Sequence, residues 1–112
     1  MSDARLCTLV AFLLASVVAP AAAQRQPMRQ PLSSADIDAI AKLVALEDTR
    51  RFDETTLAAL IKSPHPEVRR RAIQSIGRIA KPEGRPLLVA ARSDADPEVV
   101  ATVAFATGQL KD

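Results

Sequence analysis

The sequence predicts an all-α fold, a short α-solenoid of about two and a half helical hairpins preceded by a signal peptide. Three observations carry that expectation. Apolar residues make up 48% of the chain, yet only three are aromatic (Phe12, Phe52, Phe105), and a core of Ala, Leu, Ile and Val suits packed helices better than a sheet. From residue 34 onward apolar residues recur at steps of three and four, the helical period. The phrase "PEV" occurs twice, at residues 66–68 and 97–99, and opens a helix-like run each time.

The N-terminal segment is distinct from the rest. Arg5 precedes an apolar run over residues 6–19, which is shorter than the roughly 20 residues a bilayer span needs. Ala21, Ala22 and Ala23 follow as small residues at a cleavage site, so residues 1–23 read as a signal peptide cut before Gln24. The product is expected to be exported, to the periplasm or the extracellular space, without a membrane contact after cleavage. Cleavage removes Cys7, the chain's single cysteine, which excludes disulfide stapling, thiolate metal sites and cysteine catalysis. Residues 24–33, "QRQPMRQPLS", read as an extended solvated linker.

The repeat domain is expected over residues 34–112. Ser34 is placed to cap a first helix whose face is Ile37, Ile40, Ala41, Val44 and Ala45, ending near Glu47. Asp53 caps a second carrying Leu57, Leu60 and Ile61, and "SPHP" stops it because two prolines cannot continue a helix. Pro66 opens the third at the position where its missing N–H costs nothing. Glu67 follows favourably in its first turn, and Val68, Ala72, Ser75, Ile76 and Ile79 form its face. "KPEGRP" separates it from a fourth helix with Leu87, Leu88, Val89 and Ala91. In the fifth, Asp96 caps, Pro97 is first, and Val99, Val103, Ala106 and Leu110 give the face.

An offset of 31 residues joins these elements: Pro66 with Pro97, Glu67 with Glu98, Val68 with Val99, Gly77 with Gly108, Ile79 with Leu110 and Leu57 with Leu88. The same step back places Ile37 under Val68 and Ala41 under Ala72. A constant offset through helices and loops marks a helical-hairpin repeat, with units at about 34–64, 65–95 and a partial 96–112. Hairpins bury their apolar faces by stacking on neighbours. The fifth helix is therefore expected to expose Val99, Val103 and Phe105 on an end face, covered by further repeats of a longer polypeptide or by another protein.

"HPEVRRRAIQSIGRIAK" and "DPEVVATVAFATGQLKD" resemble short HEAT-type repeats, of the kind found in phycobilisome-lyase-like repeat proteins. In that family a D-P-x-V-R-x-x-A-x-x-A-L-G-x-[IL] run forms the first helix of each hairpin. Here His65 replaces the capping Asp in one copy, while Val100 replaces the Arg and Thr107 the Leu in the other. "LEDTRRFD" followed by such repeats is also similar to the start of longer secreted bacterial HEAT-repeat proteins, some of which carry a downstream cyclophilin-type prolyl isomerase domain. The resemblance implies a protein-interaction scaffold, or the N-terminal scaffold of a longer envelope enzyme, in particular a peptidyl-prolyl cis-trans isomerase.

No active site is legible. His65, the single histidine, stands between prolines at a helix start with no partner for metal or proton-transfer chemistry. Asp36 and Asp38 face different ways on their helix, and Asp94 and Asp96 frame a turn and a cap. Gly77, Gly84 and Gly108 are too far apart for a phosphate-cradling loop, and two of them read as helix ends. The net charge of +2 is too small for a nucleic-acid binder. The chain is thus expected to be non-catalytic, with no cofactor and no small-molecule substrate. Candidate partner contacts are the basic residues Arg69, Arg70, Arg85 and Arg92 and the apolar Val99, Val103 and Phe105. For Arg71 the spacing from Glu67 predicts an ordinary i,i+4 pair.

Overall fold

A computed structural model describes residues 29–110. The expected signal segment and most of the expected linker lie outside the described residues. Among the described residues the fold is all-helical, with no strand. Its helices are α1 (Ser34–Asp48), α2 (Glu54–Leu60), α3 (Pro66–Ile79), α4 (Arg85–Ala91) and α5 (Pro97–Gln109), with a 3-10 turn, Pro82–Gly84, leading into α4.

The helix starts follow from local chemistry. Asp53 and Asp96 accept hydrogen bonds from the backbone N–H groups of Thr56 and Glu98. His65 does the same through Nδ1, 3.1 Å from the Glu67 nitrogen, so the imidazole serves where the matching position carries Asp96. Pro66 and Pro97 are the first helical residues, as expected. One cap differs from expectation: Ser33, not Ser34, caps α1, in a reciprocal box where Asp36 N–H donates to Ser33 Oγ and Ser33 N–H donates to Asp36 Oδ2. Two orphan donors are satisfied there at once. At the other end of α3, Ala80 closes the helix at φ 59°, a left-handed conformation that glycine adopts more cheaply.

Helices α1, α3 and α5 lie side by side as one layer, and α2 and α4 pack against them as the other. The α3–α5 contact is the most extensive, followed by α1–α3. Leu57 and Leu88, the matching residues of α2 and α4, are both fully buried. So are Val68, Ala72, Ile73, Ser75, Ile76 and Ile79 of α3. Val99, Val103 and Ala106 of α5, with Leu110 just beyond its end, also belong to the core.

The register of α1 departs from the sequence reading. Its packed side is Leu43, with Ile40 and Leu46 half-buried. Ile37 and Val44, expected to face the core, are 56% and 45% exposed, and Ala41 and Ala45 are exposed as well. The N-caps Asp53 and Gly84 keep the 31-residue step, as do His65 and Asp96, but Ser33 and His65 are 32 apart. The packed positions are offset further: Ala39, Ile40, Leu43 and Leu46 stand 33 residues before Ala72, Ile73, Ile76 and Ile79 of α3. Each extra residue turns a helix face by about 100°, so Ile37, Ala41, Val44 and Ala45 turn outward while Ile40 stays on the packed side.

Candidate protein-interaction surface

Two of the arginines expected to meet a partner are engaged inside the stack. Arg69 holds Asp94 with two hydrogen bonds, Nε to Oδ2 at 2.9 Å and Nη2 to Oδ1 at 3.1 Å. Its Nη1 donates to the carbonyls of Ser63 and Pro64. The guanidinium thereby ties the loop before α3 to the loop before α5. Burial pushes the Asp94 carboxyl up, but the bonds from Arg69 and from the Asp96 N–H outweigh it and leave the group below its ordinary range. Arg70 pairs with Glu67 at 2.7 and 3.0 Å, and this hydrogen-bonded guanidinium holds the Glu67 carboxyl low. Arg71 lies farther from Glu67, at 3.8 Å, so the closer partner is at i+3 rather than the i+4 the spacing suggested. Arg69 is a clip within the fold, and Arg70 is half-buried in its pair.

The two "PEV" starts meet at one edge of the stack. They line a groove of about 780 Å³ with Arg70, and the segment over residues 29–32 forms its other wall. With Nδ1 occupied as an acceptor, the neutral His65 ring carries its proton on Nε2, which donates to the Gln30 carbonyl at 3.0 Å. Arg29 approaches Glu98 at 3.9 Å, an exposed pair that adds little. The groove is therefore already occupied along one side by the chain's own extended segment. Nothing in the sequence signalled this contact, because the His65–Gln30 pairing spans 35 residues through a main-chain carbonyl.

Helix α5 supplies the other surface. Val99 and Val103 were expected on an exposed end face, but they are 0% and 3% exposed. They lie on the side of α5 turned into the core, so they are unavailable to a partner. The outward side consists of Val100, Ala101, Ala104, Phe105 and Gly108, all exposed, with Phe105 at 63% the most open large apolar side chain. No charged residue interrupts it between Glu98 and Leu110. Arg85 and Arg92, at the two ends of α4, are also exposed.

The two repeat glycines differ in their surroundings. Neither ends its helix, contrary to the sequence reading: Gly77 lies within α3 and Gly108 within α5. A Cβ on Gly77 would stand 2.9 Å from Ala106 Cα and 2.5 Å from Gln109 Oε1. Gly77 is thus the seat on which α5 rests. A Cβ on Gly108 would meet nothing within 4 Å. The 31-residue pairing of the two glycines marked the repeat, but the close approach of α5 at Gly77 was not legible in it.

Among the described residues no group of three or more metal-ligating side chains converges, and no helix is long and apolar enough to cross a membrane. The comparison with known proteins agrees with the stacked hairpins. A family model described as HEAT repeats matches residues 54–112, more than half of the chain. No curated protein and no solved structure matches it. HEAT repeats commonly mediate protein interactions and typically serve as non-catalytic scaffolds. With two matching hairpin starts, a shared core and α5 seated on Gly77, the chain belongs to the HEAT-repeat family.

Proposed function

We propose that this chain is an exported, non-catalytic scaffold of the periplasm or extracellular space, which holds a protein partner on the outward face of α5. The observation that carries this reading is the uncharged strip of Val100, Ala101, Ala104, Phe105 and Gly108. Stacked repeats bury such faces against the next unit, and an exposed apolar strip marks an interaction site. Export rests on the charged start, the short apolar run and the alanine cleavage site of residues 1–23.

Photo-crosslinking tests the surface. A photoreactive phenylalanine analogue at position 105, in the cells that make the protein, should give a discrete protein adduct. The same analogue at exposed Glu54, on the other layer, should give none. Equal labelling at both positions, or no adduct at 105, sinks the reading. The mass of the cellular product tests export, with Gln24 expected at its N-terminus.

The similarity of "LEDTRRFD" and its following repeats to the start of isomerase-bearing proteins supports a second reading, the scaffold of a longer prolyl isomerase. A proline-isomerisation assay on this chain should then stay at background while a longer cellular product is active.

A further inference from the structure

The segment seated in the groove at the starts of α3 and α5 has a duplicate immediately before it. Residues 29–32 read Arg-Gln-Pro-Leu, and residues 25–28, outside the described residues, read Arg-Gln-Pro-Met. Each part of the seated copy has a use in the groove. Pro31 disfavours the helical region for the residue before it, which leaves the Gln30 carbonyl free of any helix hydrogen bond. That carbonyl is the group to which His65 Nε2 donates, at 3.0 Å. Arg29 stands 3.9 Å from Glu98. Leu32 lines the groove as the segment's apolar member and is 39% exposed. The hold is slight, since it consists of one main-chain hydrogen bond, a part-covered leucine and an exposed ion pair, which adds little. Residues 25–28 offer the same carbonyl ahead of a proline and the same guanidinium. Met28 adds an unbranched apolar side chain that adapts to the space of a leucine. Exchanging one copy for the other therefore replaces each contact in kind.

We infer that this groove is a binding site for an extended Arg-Gln-Pro-apolar segment, and that residues 25–28 of the same chain take it in exchange with residues 29–32. The groove then stays covered when the first copy lifts off. In the second register residues 29–32 form a loop between Met28 and Ser33, and four-residue connections are common between adjacent extended segments. The site lies at the helix starts and is independent of any partner on the outward face of α5.

His65 is the single histidine, so its ring protons report on the seat without ambiguity. In nuclear Overhauser spectra of the isotope-labelled full chain, the ring should contact residues 30 and 31 and, more weakly, residues 26 and 27. Four extended residues span about 13 Å, too far for one register to give both sets. Pro31→Gly frees the backbone of the first copy without touching the core, and should make the contacts with residues 26 and 27 the stronger set. Pro27→Gly should abolish those contacts and leave the ones with residues 30 and 31 unchanged. A ring that never contacts residues 26 and 27, even in Pro31→Gly, overturns the inference, as do contacts that Pro27→Gly leaves in place. Contacts that arise only between labelled and unlabelled chains in a mixture also overturn it, because the second copy would then sit on another molecule.

Discussion

The glycine pair offers a test of the packing with opposite signs. Gly→Ala in a helix interior gains about 0.5–1 kcal/mol where nothing opposes it. At Gly108 nothing does, since the added Cβ has no neighbour within 4 Å, so Gly108→Ala should stabilise the monomer by that amount. At Gly77 the new methyl would sit 2.9 Å from Ala106 Cα and 3.0 Å from Ala106 Cβ. The Gln109 side chain can swing aside, but the α5 backbone must shift, and overpacking of this kind costs about 1–3 kcal/mol. After the propensity gain, Gly77→Ala should lose about 1–2 kcal/mol. Urea unfolding followed by far-ultraviolet circular dichroism, at concentrations low enough to keep the chain monomeric, resolves the difference. With a slope of about 1–3 kcal/mol per molar, the two midpoints should move in opposite directions. If both variants are stabilised alike, α5 does not rest on Gly77 and the stacking argument fails.

Three further predictions follow from the loops and caps. Replacing Arg69 by Ala leaves the Asp94 carboxylate and two loop carbonyls without their donor, which should cost about 2–4 kcal/mol in the same urea assay; an unchanged midpoint would remove the clip from the account. Asp94 has a lowered carboxyl in the folded chain, so its contribution is present above the unfolded value near pH 4 and is lost as pH falls through the lower folded value. Wild-type stability should therefore drop below about pH 4 more steeply than that of Asp94→Asn, as read by thermal melts across that range. His65→Ala removes the α3 cap and should cost about 1 kcal/mol, while His65→Asp, copying Asp96, should match or exceed the wild type; equal losses in both would deny the imidazole its capping role.

The fold was legible where sequence signals were local and doubled. Pro97 behind Asp96 marks a helix start twice over, and the same step of 31 residues to Pro66 confirmed the face of α5 down to Leu110. Helix α1 misled because its outward side, Ile37, Ala41, Val44 and Ala45, is more apolar than its packed side, which includes Asp36 and Glu47. Glu47 is there for a polar reason: it accepts hydrogen bonds from buried Ser75 and from Arg78, which periodicity does not reveal. The basic run at Arg69 to Arg71 looked like a surface cluster. Its partners Asp94 and Ser63 lie in separate loops, and a sequence gives no distance between them. Of the expected end face, Phe105 stands exposed while Val99 and Val103 are buried, because α5 is two-sided and the sequence showed apolar residues on both sides.

The most direct test is a nuclear Overhauser spectrum of the isotope-labelled chain at low concentration. A cross-peak is expected between the Gly77 α-protons and the Ala106 methyl, whose carbon would lie 3.0 Å from a Cβ at Gly77. Gly77 protons that see only their own helix would contradict the stacked-repeat account.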